Sequence, residues 1–427
     1  MRSYGRSEVM QLKFLRVAIL ATSVFGITAL SARAQVNIDF WDQVWGPAPY
    51  SQRAESLVEE FNKSQKDIHV SYRSVPWASW YETYVTAIAS GSAPDLSTGA
   101  GFQAVQFYDM DAIYPVDELV DEMTKDGGAA DFAPGSLDAV KYDGHYVALP
   151  WSIDVRVLLY RKDLLQAAGA SVPTTWDEFR KTAKAVTREG VYGLVSSGDP
   201  NGTHWIPTIL INNGSGLFDS DRKPNLTSEK SLQALQFLSS LVADGTLDPA
   251  SAGYKDDDAR GRFYSGGAAF YLGSPGTASG AGASKDQIGI VPPLTSTAGE
   301  KGTINWVNNI MVYKQTEHPK ETLRFLRWWS ENQKVLWTEG NAGGIPARQS
   351  FQQDPFFTKN EQLNEVIKTY LPVVKPLSAT AGGTFPQLNE VEGDGFLTTL
   401  VQKIWQGQPA ADAVQPAQER LQEIMEK

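Results

Sequence analysis

No cysteine occurs in the 427 residues. Disulfides, thiol nucleophiles, thiolate metal sites and a lipid attached through cysteine are all excluded. Histidine is nearly as scarce: His69, His145, His204 and His318 stand far apart, with no metal-ligand spacing among them. We therefore expect no metal and no cofactor. Basic charge is in deficit, with 38 Lys and Arg against 49 Asp and Glu, a formal net charge of −11. Nucleic acid and anionic membranes both require a basic surface, so neither is an expected partner. Several catalytic signatures are missing as well. There is no G-x-S-x-G elbow. The glycine-rich run 273–282 lacks the G-K-[ST] ending of a nucleotide phosphate loop. Asp256-Asp257-Asp258 lacks the alternating spacing and glycine of a calcium loop and reads as a solvated helix start. Only one long apolar run is present, Val17 to Leu30, and its 14 residues fall short of the ~20 that a membrane span needs.

What is present begins with that run. Arg2, Arg6, Lys13 and Arg16 precede it, and Ala32-Arg33-Ala34 follows as a small-residue cleavage site. An export signal over 1–34 is predicted, starting at Met1 or Met10 and leaving a free, soluble chain from Gln35. Residues 1–34 carry five Lys and Arg against one Glu, so the remainder stands near −15. A length of about 390 residues suggests two domains. Twelve Trp and sixteen Tyr supply large flat side chains beyond what a core alone requires.

Val36 to Trp41 and Ile68 to Val75 alternate as strands. Residues 51–65 and 80–89 carry helical periodicity between and after them, and Asp95 to Thr98 is a third strand. Strand-helix-strand order with short connections predicts a mostly parallel sheet covered by helices. Ligands in such sheets bind beyond the carboxyl ends of the strands. The organising stretch is Ala148 to Tyr160. Its odd positions, Trp151 to Leu159, are apolar, whereas Ser152, Asp154 and Arg156 make a polar face near its entry. We expect this to be where the chain passes between two lobes beside a cleft. Further strands are read at 192–196, 268–272 and 303–313, and helices at 163–169, 175–186, 232–242, 319–329 and 410–425.

Several segments in order carry a family resemblance. Leu149-Pro150 and Leu159-Tyr-Arg-Lys-Asp-Leu-Leu165 are followed by Val172-Pro-Thr-Thr-Trp-Asp-Glu-Phe179. Phe263-Tyr-Ser-Gly-Gly-Ala-Ala-Phe270 and Gly344-Ile-Pro-Ala-Arg348 come later. Together they resemble the solute-binding proteins of bacterial sugar ABC transporters, the maltose-binding-protein-like family, over essentially the whole chain after residue 34. The resemblance implies an α/β, two-lobed periplasmic-binding-protein fold, with a mixed, mostly parallel sheet flanked by helices in each lobe. It puts about 36–148 and 307–345 in one lobe and about 149–306 and 346–427 in the other. It further implies a periplasmic monomer that binds a carbohydrate in the hinge cleft and delivers it to a transmembrane permease, with no catalysis. A chemoreceptor-facing role is compatible with this. An exported glycoside hydrolase is the rival from another class; it would need two carboxylates across one bond, and only Asp154 stands out.

A sugar site needs aromatic faces for the C–H side of the ring and planar polar groups for its hydroxyls. Asp154 matches a sugar-binding carboxylate of the family, with Arg156 beside it; an ion pair ordering the hinge is the plainer alternative. Asp42 and Gln43 follow the first strand, and Phe102 and Gln103 the third. His204 and Trp205 enter a helix, and Trp306 and Asn308 share one face of the strand 303–313. Gly273 and Ser274 stand where relatives often place a stacking tryptophan. That departure leaves room for a bulkier ligand, or lets backbone N–H groups approach an anionic substituent; with Arg156 and Arg348 nearby, an acidic, phospho- or sulfo-substituted sugar or polyol is the alternative ligand.

Overall fold

Val36–Gln43 (β1) buries nearly every side chain from Phe40 onward and runs parallel to Ile68–Val75 (β2), in register from Val36 against Ile68 to Gln43 against Val75. Its other edge takes Leu96–Gly99 (β3), also parallel. The helices Ala48–Ser64 and Trp80–Ala89 make the two crossovers, as the alternation of periods predicts. The computed structural model describes residues 35–77 and 80–426; the expected signal segment lies outside the described residues.

Ile113–Tyr114 (β4) is followed by the hairpin Lys141–Tyr142 (β5) and His145–Tyr146 (β6). Its turn residues Asp143 and Gly144 both have positive φ, 50° and 84°, the conformation for which Asp-Gly is suited. Then the organising stretch divides. Leu149–Val155 (β7) and Val157–Arg161 (β8) are separate strands in separate sheets. The remaining strands are Tyr192–Leu194 (β9), Ala268–Gly273 (β10), Ile288–Ile290 (β11), Thr303–Tyr313 (β12), Ile345–Pro346 (β13) and Val374–Lys375 (β14). The larger sheet runs β13-β7-β12-β3-β1-β2, with β4 and β14 also on β12; the smaller runs β11-β8-β10-β9.

Each sheet has its own interior. Phe40, Trp151, Phe325 and Trp329 anchor the first, and Trp176, Phe179, Leu235 and Phe270 the second. The helix Trp176–Val186 starts where its capping signal puts it: Thr175 Oγ1 accepts from the Glu178 N–H at 3.2 Å. The reciprocal bond reaches one residue further back, Glu178 Oε2 accepting from the Thr174 N–H at 2.8 Å.

The handovers between the sheets differ from the expected bounds. β7 is paired on both edges, with β12 and β13, and Trp151 and Ile153 are buried. It therefore belongs to the first sheet, and the chain passes from that sheet to the second at Arg156. The Arg156 N–H is held by the Ile304 carbonyl at 3.2 Å, at the start of the returning strand. The last handover is also later, because Ala347 and Phe357 still pack in the first interior, whereas Val366 and Tyr370 pack beneath the second sheet. The helices Gln103–Asp109 and Asp117–Asp126 are additions to the elements read from the sequence, while Asp256–Tyr264 begins at the helix start read there. Among the described residues, no helix is long and apolar enough to cross a membrane.

Candidate functional site

Where β7 gives way to β8, a cleft of about 630 Å³ opens between the lobes. Asp154, at the end of β7, and Arg156, at the break, form its base, the Arg156 Nη1 donating to Asp154 Oδ1 at 2.7 Å. The Arg156 Nε–H donates to His204 Nδ1 at 2.9 Å. That bond makes Nδ1 an acceptor and puts the imidazole proton on Nε2. Burial, with the nearby guanidinium, holds His204 well below the ordinary imidazole range, so the ring is neutral. Trp306 completes the group. Its ring lies edge-on to His204 at 4.8 Å between centroids, and the Arg156 guanidinium sits 4.8 Å from its centre. β12 places it there by pairing Trp306 with Asp154.

The first-lobe wall is aromatic. Trp45, Trp77 and Trp80 line the cleft and touch in sequence, Trp45 to Trp77 at 4.8 Å and Trp77 to Trp80 at 6.1 Å. Behind them Trp151, buried, meets Trp45 at 5.1 Å. Trp77 is 40% exposed and its Nε1–H donates to the Val44 carbonyl at 2.6 Å, so its ring is held while its face is open. Asn308 lines the floor; its Nδ2 donates to Ser152 Oγ at 3.1 Å, and its Oδ1 accepts from the Gly101 N–H at 3.3 Å.

The second-lobe wall is polar. Asp256 and Arg260, on the helix Asp256–Tyr264, form an ion pair at 2.7 Å, and Tyr271 donates its O–H to Asp256 Oδ1. Arg260 also pairs with Asp257. Burial pushes the Asp256 carboxyl upward against the pull of Tyr271 and Arg260. Asn201, Thr203, Gly273 and Ser274 lie along the same side. Glu392, on the helix Gln387–Gly393, accepts from the Trp306 Nε1–H through Oε1. It is exposed at the cleft, and the walls around it raise its carboxyl against the pull of the Trp306 N–H and the field of Arg156.

Seven of the thirteen candidate residues therefore meet at one cleft: Asp154, Arg156, His204, Gly273, Ser274, Trp306 and Asn308. Six do not line it. Asp42 is sealed behind the aromatic wall, where Tyr50, Tyr72 and Thr98 donate to its carboxylate at 2.9, 3.1 and 2.8 Å. Burial pushes it up to about 7. Gln43 and Gln103 are fully buried beside it, their side chains 3.5 Å apart. The strand end does point at the cleft, but Trp45 covers these groups: its Nε1–H donates to Thr98 Oγ1 at 3.0 Å. Phe102 is buried in the second lobe's interior, beside Leu388 and Val391. Trp205 packs edge-on to Trp405 at 6.5 Å within that same interior. Arg348 is 4% exposed, bonded to the Ser330 carbonyl at 2.6 Å and paired with Asp131 at 3.1 Å. It ties first-lobe elements together and leaves the cleft without the guanidinium expected of it.

Conversely, Trp45, Trp77, Trp80, Asp256, Arg260, Tyr271 and Glu392 escaped the sequence reading. Asp256 was taken for part of a solvated helix start, a description that fits only its exposed neighbours Asp257 and Asp258. The tryptophans did carry a signal, three of them within the loop and helix start that follow β1 and β2. Among the described residues, no group of acidic and imidazole side chains could hold a metal ion.

Residues 48–335 match the model of the bacterial extracellular solute-binding protein family. The chain belongs to that family, and its two-lobed fold with a cleft at the crossover is the fold of those proteins. Among curated relatives, it is similar to an arabinooligosaccharide-binding protein of Bacillus subtilis, 24% identical over 66% of this chain and 67% of the relative. It is also similar to a maltotriose-binding protein of Pyrococcus abyssi, 22% identical over 80% and 74%. Among solved structures, a sugar transporter protein from Arthrobacter chlorophenolicus A6, with bound laminaribiose, is 28% identical with a TM-score of 0.80, covering 90% of this chain and 99% of that one. The family and these relatives are binding proteins.

Proposed function

We propose that this chain is the carbohydrate-capturing component of a bacterial ABC importer: exported, periplasmic, and without catalytic activity. A saccharide bridges the two walls of the cleft, the lobes close on it, and the closed form delivers it to the permease. The observation that carries this reading is the division of labour across one cleft. The exposed Trp77, with Trp45 and Trp80 beside it on the same wall, suits the C–H side of a sugar ring, and the opposing carboxylates and guanidiniums suit its hydroxyls. The relatives' stated ligands, arabinooligosaccharide, maltotriose and laminaribiose, support the same class.

In this mechanism the open form wets both walls. A ligand that touches both binds the closed form more tightly and shifts the equilibrium toward it by that difference. Asp154, held by Arg156, accepts from ligand hydroxyls; His204, neutral, offers Nε2–H; Trp306 and Asn308 shape the base. The test is calorimetric titration of the chain from Gln35 with neutral di- and trisaccharides, with small-angle scattering on the same samples. Binding should compact the protein, and Asp154→Ala should weaken it by about 1–3 kcal/mol. Tight binding without compaction would overturn the closure mechanism, and unchanged affinity would remove Asp154 from the site.

A further inference from the structure

The charges of the cleft are not evenly matched. Asp154 is paired with Arg156, and Asp256 with Arg260. His204 is neutral, because its Nδ1 accepts from Arg156. Arg348, the one further cation considered for the site, is committed to Asp131 and Ser330 elsewhere. Glu392 remains. Among the described residues it has no ion pair; its only bonded neighbour in the cleft is the Trp306 Nε1–H, which occupies Oε1. Oε2 lies over Gly101, 3.8 Å from where a side chain at that glycine would begin. Arg156 is near enough for its field to reach Glu392, but its Nη1 and Nε are bonded to Asp154 and His204.

We infer that Glu392 sets the charge class of the ligand: the cleft ranks otherwise matched saccharides as amino-bearing over neutral over acidic. The inference rests on the carbohydrate reading above and deepens it. A cleft carboxylate with no ion-pair partner is stabilised by an ammonium group, which supplies the missing charge and a charge-assisted hydrogen bond. A hydroxyl supplies only a neutral donor. A carboxylate, sulfate or phosphate on the ligand sets two anions against each other, and the two cleft guanidiniums, Arg156 and Arg260, are already paired with carboxylates. The aromatic wall does not oppose this order, since tryptophan faces also attract cations. The anionic-ligand alternative, in which the backbone at Gly273 and Ser274 meets an acidic group, loses Arg348 and keeps only Arg156, which is paired with Asp154.

The experiment is a matched panel at pH 7 on the chain from Gln35: a glucosamine disaccharide, the glucose disaccharide of the same linkage, and the corresponding glucuronic acid disaccharide. Thermal shift and calorimetry are read on the unmodified protein, E392Q and E392K. The amino compound should bind about five- to tenfold more tightly than the neutral one, the gain expected when a neutral hydrogen bond becomes charge-assisted, and the acidic compound should bind least. E392Q should collapse the ranking and E392K should invert it. A neutral compound that binds as tightly as the amino one, or a ranking that survives E392Q, overturns this inference and leaves carbohydrate capture standing. No response to any member of the panel overturns both.

Discussion

The two walls of the cleft are built on opposite principles. The first-lobe wall is three tryptophans in series, backed by a fourth in the core, with the charge behind it sealed in hydroxyls. The second-lobe wall is short polar residues, one ion pair and one uncompensated carboxylate. If the cleft takes a saccharide as proposed, the aromatic wall suits any ring with an apolar face and the polar wall meets its substituents, so substitutions on each side should fail differently.

The largest effect is expected behind the aromatic wall. Asp42 is buried and its carboxyl is raised to about 7, above the value near 3.8 it would have unfolded. A raised acid contributes stability that is fully present below the unfolded value and is lost as pH climbs to the folded one. The share from Asp42 should amount to roughly 3 kcal/mol between pH 4 and pH 7. Urea unfolding across that range should show Asp42→Asn losing this part of the slope; an identical slope would mean that the hydroxyls hold Asp42 as a stable anion.

Next comes Trp306→Ala, where the walls meet. It removes the ring against His204 and Arg156 and the donor to Glu392 together, and should weaken saccharide binding by about 2 kcal/mol or more, measured by calorimetry. A loss no larger than that of Trp77→Ala would show that the base is not shared. Trp77→Ala removes one open face, and about 1 kcal/mol should be lost for every ligand alike, whatever its substituents. Arg260→Ala should have the smallest effect on a neutral ligand, under about 1 kcal/mol given its partial exposure, while sharpening the bias against anions. If Arg260→Ala and Trp77→Ala alter a ligand panel in the same proportions, the division between the walls fails.

How much of this was legible in the sequence follows from what kind of signal each feature leaves. Period-3.6 patterns located most flanking helices and period-2 patterns β2 and the start of β1, because those segments bury one face and expose another; β7 and β12, buried on nearly every position, showed as apolar runs broken by a few polar residues. The break at Arg156 was half-visible: polar residues interrupted an apolar run, but pairing of β7 on both edges, which decides its lobe, is a property of distant strands. Asp154, Arg156 and Trp306 could be found because strand alternation put them on one face. Glu392 and Arg260 could not, since they reach the cleft through the packing of helices far along the chain. Arg348 and Asp42 misled for the same physical reason. A polar residue after a strand end points toward the cleft or is capped by its neighbours, and only the cover provided by Trp45, or by Ser330 and Asp131, distinguishes the two.

Phe102 has a further consequence. It leaves a first-lobe loop and is buried among second-lobe side chains at the foot of the cleft, next to the Asn389 Nδ2 bond to Gln106 Oε1 at 2.6 Å. Pulling the two halves apart at this point would expose that ring to water, so Phe102 adds an apolar anchor between them beyond the backbone crossings.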